Sequence, residues 1–254
     1  MLEGCPCDGC PSVPLWEDQR VAPDLPLGDR VDWTPIEPPA PRTLRGSHAL
    51  LRPVAGGADA VPLYALSHPP EGDPAIWTYL PDGPYADAAE LGRMLAWAET
   101  STDPLYFTIV RAQDERPLGI ASYLRITPQF GTIEIGHIWF GAPLKRTIAA
   151  SEAIYLLARH AFDELGYRRL EWKCNSLNAA SRRAAERFGF NFEGVFRKHQ
   201  IVKGRNRDTA WYAITDEQWP TIRSGFEAWL APQNFDPDGR QRRSLAELRE
   251  SALT

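Results

Sequence analysis

Three strand-like runs, "LYFTIVRA", "LGIASYLRI" and "TIEIGHIWF", follow one another with only "QDERP" and "TPQFG" between them. Links this short reverse the chain and impose an antiparallel meander. After Phe140 the regime changes. A helical stretch over 147–165 leads into the strand-like "RRLEWKC", a connection too long for a hairpin and long enough for a parallel crossover. A second helix over 178–188 precedes "NFEGVFRKHQIV", the turn "KGRN" and "TAWYAI", which reads as a closing hairpin. A meander, then helix, strand, helix and hairpin specify an α+β chain whose mixed sheet is mostly antiparallel with one parallel junction.

The flanks follow from their punctuation. Nine prolines in residues 1–42 disfavour a continuous helix or a central strand there, so this stretch reads as a Pro-rich extension. The domain is expected over 43–230, beginning with "HALLRPV" as a strand and "DAVPLYALSH" as a Pro-interrupted helix. A helix over 85–100 places Leu91, Met94, Leu95 and Ala98 on one face, and one over 216–230 turns Trp219, Ile222, Phe226 and Trp229 inward. Residues 231–254 read as a charged, loosely attached tail.

Composition narrows the partners. With 28 basic against 33 acidic residues, net charge −5, no overall basic field exists to condense on nucleic acid. No apolar run approaches the ~18 residues a membrane span needs, and the N-terminus lacks the basic-then-apolar order of a signal peptide, so no membrane association and a cytoplasmic location are expected. Cys5, Cys7 and Cys10 crowd into "GCPCDGC" without a partner pair at the spacing of zinc modules. They read as reduced thiols in a tail, and no metal is expected. Cys174 reads as a buried thiol at a strand end.

Chemistry should lie where the strand ending near Phe140 meets the one ending near Cys174. A parallel pair with a helix between them places that helix's first turn, with its unpaired N–H groups, at the carboxyl ends of the strands. In "FGAPLKRTIAASEAIYLL" that turn carries Lys145, Arg146 and Thr147, which suits an anion. The same pattern is also that of an ordinary capped core helix, and the stretch by itself leaves both readings open.

At this point "IEIGHIWF…KRTIAASEA…NSLNAASRRAAERFGFNFEGVFR…GRNRDTAWYAI" resembles the GNAT superfamily of N-acetyltransferases, within it the ribosomal-protein alanine acetyltransferase branch (RimJ/RimL type). The resemblance spans about residues 43–219. It implies the acyl-CoA N-acyltransferase fold, with the strand through Ile138, Trp139 and Phe140 splayed from its parallel neighbour to hold the pantetheine arm of acetyl-CoA. It also implies that the loop through Lys145, Arg146, Thr147, Ile148, Ala149 and Ala150 wraps the pyrophosphate, and that Asn178 and Ser181 contact the cofactor. The family's central loop glycine falls on Ile148, and the segment 134–152 looks one residue longer than usual, which suggests a bulge near Gly141. If the loop ran into the helix in right-handed geometry, no position would need a positive φ and the glycine would be dispensable.

The resemblance further implies an acetyl-CoA-dependent N-acetyltransferase acting by direct attack of a primary amine, on a protein N-terminus or a small molecule. The alternative is a catalytically silent acyl-CoA-binding module. Glu134 is the candidate base, directly or through water. His137 would share its face only if a bulge intervened. The tyrosine many relatives use as acid aligns with Ala185, which leaves either Ser181 as a relay through water or protonation of the thiolate from solvent. "AIWTYLPDGPY" and the hairpin bearing Arg197, Lys198, His199, Lys203, Arg205 and Arg207 would flank the acceptor. Whether those cations attract an anion or form a solvated face with Asp208 and Glu193 stays open, as does a homodimer.

Overall fold

Alternation decides the sheet. In the strand Arg169–Asn175, Leu170, Trp172 and Cys174 are buried against helices, while Arg169, Glu171 and Lys173 point to the other face. The computed structural model describes residues 25–252 and contains an eight-stranded sheet. In chain order the strands are β1 (Leu44–Arg45), β2 (Ala49–Pro53), β3 (Leu105–Arg111), β4 (Pro117–Thr127), β5 (Thr132–Phe140), β6 (Arg169–Asn175), β7 (Asn191–Val202) and β8 (Arg205–Thr215). The spatial order is β1-β2-β3-β4-β5-β6-β8-β7, antiparallel throughout except for the parallel pair β5–β6. The α+β reading and its single parallel junction are confirmed.

Two helical layers cover the sheet. On one face α1 (Gly56–Ser67) and α2 (Ala88–Thr100) enclose Leu63, Leu91, Leu95, Trp77 and Trp139. Asp87 caps α2 by accepting from the Glu90 N–H, so that helix starts at Ala88 rather than at 85. On the other face lie α3 (Ile148–Arg159), α4 (Ala179–Phe188) and α5 (Trp219–Leu230). Trp219, Ile222, Phe226 and Trp229 of α5 are all buried, and Gly189 ends α4 with φ 95°.

Both flanks of the domain differ from the sequence reading. The chain divides between Trp33 and Thr34, so the compact unit takes in residues 34–42, of which Ile36 packs on the core. Residues 25–33 have no regular structure, and Cys5, Cys7 and Cys10 lie outside the described residues. The C-terminal segment is packed rather than loosely attached. It forms α6 (Leu245–Ser251), with Leu245 buried and a capping box between Ser244 and Glu247. Arg249 of α6 donates to the Arg187 carbonyl at the end of α4, 2.7 Å. Its charge complements the negative end of that helix, which local composition alone does not reveal.

The parallel junction is short. β5 and β6 pair only at Thr132/Arg169, Ile133/Leu170 and Glu134/Glu171. Beyond Glu134 the two strands diverge, and the cleft described next opens between them.

Candidate active site

The divergence of β5 has a local cause. Against β4, Ile120 faces Trp139 and Ser122 faces Gly136, so His137 and Ile138 both stand opposite the one residue Ala121. This is a β-bulge, and His137 takes φ 48° to make it. It lies at His137–Ile138 and not near Gly141, where the sequence reading put it. Its effect is a change of face. Ile133 and Ile135 join the core under α3, and after the bulge it is Ile138 and Phe140 that pack there, while Trp139 joins the cluster under α1 and α2. His137 stacks on Tyr106 of that second cluster, on the same side as Glu134.

Between β5, α3 and α4 runs a cleft of about 980 Å³. Of the predicted cofactor residues, Ile138, Trp139, Phe140, Lys145, Arg146, Thr147, Ile148, Ala150, Asn178 and Ser181 all line it. Ala149 does not; it packs against the core. Ile148 does both, resting on the core and lining the cleft. Thr147 is the N-cap of α3: its hydroxyl accepts from the Ala150 N–H at 3.2 Å and donates to the Leu144 carbonyl at 2.7 Å. That proton is therefore spent inside the turn, and Thr147 shapes the helix mouth rather than donating to an anion.

The loop does need a left-handed residue, contrary to expectation. Arg146 has φ 62°, an arrangement that costs a non-glycine residue about 1–2 kcal/mol. The backbone demand has moved to Arg146, two residues before the position of the family's glycine. Ile148, Ala150 and Ser151 of the first turn of α3 line the cleft; helix geometry leaves the N–H groups of such a turn without intrahelical acceptors, and Thr147 takes that of Ala150.

Cations the sequence reading missed line the cleft beyond Lys145 and Arg146: Arg183, Arg187 and Arg240. Arg187 donates to the Ser151 hydroxyl at 2.9 Å and lies over the rings of Phe188 and Trp229. Burial, with Arg249 nearby, holds its guanidinium below the ordinary arginine value. The signal was present as the i, i+4 pair Arg183 and Arg187 on α4, one face of one helix. The "SEA" stretch of α3 proves structural at its acid. Buried Glu152 accepts from the N–H groups of Ser47, His48 and Ala49, fixing the turn into β2.

A second chamber of about 290 Å³ opens on the other side of the splay. Ile76, Tyr79, Ile138, Trp172, Asn178 and Ser181 line both spaces and mark where they meet. Asn178 caps α4 by accepting from the Ser181 N–H at 3.1 Å. The Ser181 hydroxyl oxygen accepts from the Trp172 indole N–H at 2.9 Å, and the same hydroxyl meets the Cys174 thiol. Tyr79 donates its hydroxyl to the Leu177 carbonyl, 3.3 Å across the cleft. Ala185 is fully buried, and Cys174 is buried with its thiol pushed up by burial.

Glu134 lines the chamber at 3% exposure. Its Oε2 meets Arg125 Nη1 at 2.6 Å and Lys173 Nζ at 3.0 Å, whereas Oε1 makes no hydrogen bond among the described residues. Lys173 also pairs with Glu171 at 2.5 Å and sits 3.9 Å over the Trp211 ring. His137 places Nδ1 3.0 Å from the Ser122 hydroxyl, which donates to the Gly136 carbonyl. Burial, with Arg125 and Arg207 adding, holds His137 below its usual value and therefore neutral. Among the described residues, no group of three His, Cys, Asp or Glu is placed to hold a metal ion, and no helix is long and apolar enough to cross a membrane.

A family model described as "Acetyltransferase (GNAT) domain" matches residues 48–191. The crystal structure of a GCN5-related N-acetyltransferase from Brucella melitensis is 42% identical with a TM-score of 0.83, covering 86% of this chain and 99% of its own. A probable GNAT acetyltransferase from Chromobacterium violaceum is 37% identical at TM-score 0.70, covering 80% of this chain and 100% of its own. An uncharacterized N-acetyltransferase of Bacillus licheniformis is 24% identical over 150 residues, 58% of this chain and 84% of the relative. A putative ribosomal-protein-serine acetyltransferase from Vibrio cholerae, 17% identical at TM-score 0.59 over 68% of this chain and 97% of its own, shares the fold.

Proposed function

Because the chain belongs to the acetyltransferase (GNAT) domain family, we propose that it transfers acetyl from acetyl-CoA to a primary amine in a ternary complex at the meeting point of the two chambers. The observation that carries this reading is the splay itself. Three paired positions followed by divergence leave the carboxyl half of β5 without a strand neighbour on the β6 side, with backbone groups free for an extended amide-bearing arm. The cation-lined cleft and the mouth of α3 fit the phosphates of the same molecule.

Acetyl-CoA, when bound, supplies a thioester whose carbonyl carbon accepts the amine. The C–N bond forms, the C–S bond breaks, and the amine must shed a proton while the departing sulfur gains one. Oε1 of Glu134 receives the proton, directly or through water. Oε2 is anchored by Arg125 and Lys173, so the carboxylate is held in place with one oxygen open. Ser181, where the two spaces meet, relays a proton to the departing sulfur by turning its hydroxyl from the Cys174 thiol while its oxygen keeps the Trp172 indole N–H. The acceptor is a primary amine, either a protein N-terminal α-amine or a small molecule.

Calorimetric titration with acetyl-CoA, followed by thiol release over a panel of amines and peptides, tests the reading. Binding together with amine-dependent release of CoA is the expected result. Binding without release across the panel would favour the silent acyl-CoA-binding module, and no binding would sink both.

A further inference from the structure

The hairpin cations that the sequence left undecided have separate fates. Lys203 reaches back to the loop before α2, donating to the Trp77 and Asp82 carbonyls at 2.7 and 2.9 Å. Asp208 accepts from the Lys198 N–H at 2.7 Å and from the Asn206 amide at 2.9 Å. Arg207 lines the small chamber, and among the described residues no hydrogen bond from its side chain is found. Its Nε is buried without a hydrogen-bond partner, and it makes no ion pair among the described residues. The other cations of that chamber, Arg125 and Lys173, are committed to Glu134 and Glu171.

A half-buried guanidinium whose buried Nε–H has no acceptor is costly, because that donor has lost water without gaining a partner. Such a group persists where a ligand meets it, and its planar fork fits a carboxylate. Burial lowers the Arg207 value from the ordinary one, outweighing the attraction of Cys174 and Glu134. The chamber is also small and roofed. At about 290 Å³ it lies at the lower end of small-molecule sites. Tyr79 and Lys203 tie the loop over it to the β6–α4 turn and to the hairpin tip.

Resting on the acetyltransferase reading, we infer that the acceptor is a small primary amine that itself carries a carboxylate, which pairs with Arg207 while the amine is presented near Glu134. Arg207 is then the residue that selects the substrate class, and Gln200, its cross-strand partner in β7, completes that wall. No redox partner or further reactant is required. The transfer is the one already written, and the carboxylate remains unchanged.

The test is a matched panel: amino acids, their carboxamides and methyl esters, the corresponding decarboxylated amines, and short peptides with free α-amines. Each is assayed for CoA release and, separately, for binding to the enzyme–CoA complex by calorimetry. Wild type is expected to favour the carboxylate over its carboxamide by about 100-fold in kcat/KM. Arg207→Gln is expected to collapse that ratio towards one, and Arg207→Lys to keep part of it. Acetyl-CoA affinity and melting temperature confirm that each variant is folded. Equal use of carboxylates and carboxamides, a ratio unmoved in Arg207→Gln, or a preference for peptides would overturn the inference and leave the acetyltransferase intact. Acetyl-CoA binding and Arg207-dependent binding of amino carboxylates without transfer would support the inference and count against turnover.

Discussion

The two spaces that meet at the splay are built on opposite plans. The large cleft is made of backbone: the freed half of β5 and the first turn of α3, with arginines from α4 around it. The small chamber is made of side chains from four strands, where Arg125 and Lys173 hold the Glu134 carboxylate, Lys173 also pairs with Glu171, and Arg207 is left over. A site made of N–H groups tolerates substitution, because every residue but proline supplies the donor. The loop of α3 can lose its glycine and move the left-handed position to Arg146. A site made of single side chains has no such latitude.

The largest expected effect falls on the chamber. Glu134→Gln keeps the shape and leaves Arg125 and Lys173 a hydrogen-bond acceptor, but it removes the base. kcat should fall by about 10²–10³-fold while acetyl-CoA affinity stays within about threefold. Steady-state kinetics with calorimetry measures both. If affinity fell as far as kcat, the two spaces would not be functionally separate.

The cleft should respond in the opposite sense. Arg187→Ala removes a desolvated cation from beside Ser151, and Arg146→Ala removes one from the helix mouth. Each should weaken CoA about tenfold, in line with loss of a charge-assisted hydrogen bond, and leave phosphate-free pantetheine unaffected. Equal losses for both ligands would place these arginines away from the phosphates.

The same division explains what could be read in advance. The meander, the parallel junction, the closing hairpin and the gathering of ten of the eleven named positions around one cleft were legible, because period, link length and motif spacing encode backbone elements. Ala149 was the exception, since helix geometry turned it to the core. The ion network was not legible. Arg125, Glu134, Lys173 and Arg207 come from β4, β5, β6 and β8, and only the folded sheet brings them together. The bulge at His137 was anticipated as a need but misplaced by a few residues, since bulges carry no strict code. The C-terminal segment was misread because its anchor, Arg249 on the end of α4, is a contact 62 residues away in sequence.

A smaller effect concerns pH and again separates the two sides. His137 is held below its ordinary value of 6.5 by burial, with Arg125 and Arg207 facing it. Its folded value is depressed, so the unfolded chain takes up this proton first as pH falls. The stability tied to neutral His137 is therefore complete above about 6.5 and is lost as pH drops through the lower folded value. Denaturation measured between pH 7 and 4 should show a decline that His137→Asn reduces. An unchanged slope would mean that the fold leaves the His137 value where the unfolded chain has it.

The smallest effect probes whether the cleft is truly a backbone site. At Arg146, φ 62° strains any side-chain-bearing residue, so Arg146→Ala keeps the strain and Arg146→Gly relieves it. The relief, about 1–2 kcal/mol, is partly offset by the greater freedom glycine gives the unfolded chain, about 0.4–1 kcal/mol. Glycine should therefore be more stable than alanine by up to about 1 kcal/mol in chemical denaturation. Both variants lack the guanidinium, and both should bind CoA about tenfold more weakly than wild type if that group meets a phosphate. If the glycine variant instead bound as tightly as wild type while the alanine variant did not, loop geometry and not the Arg146 charge would be what holds the anion. The contrast between a backbone-built cleft and a side-chain-built chamber would then be sharper still.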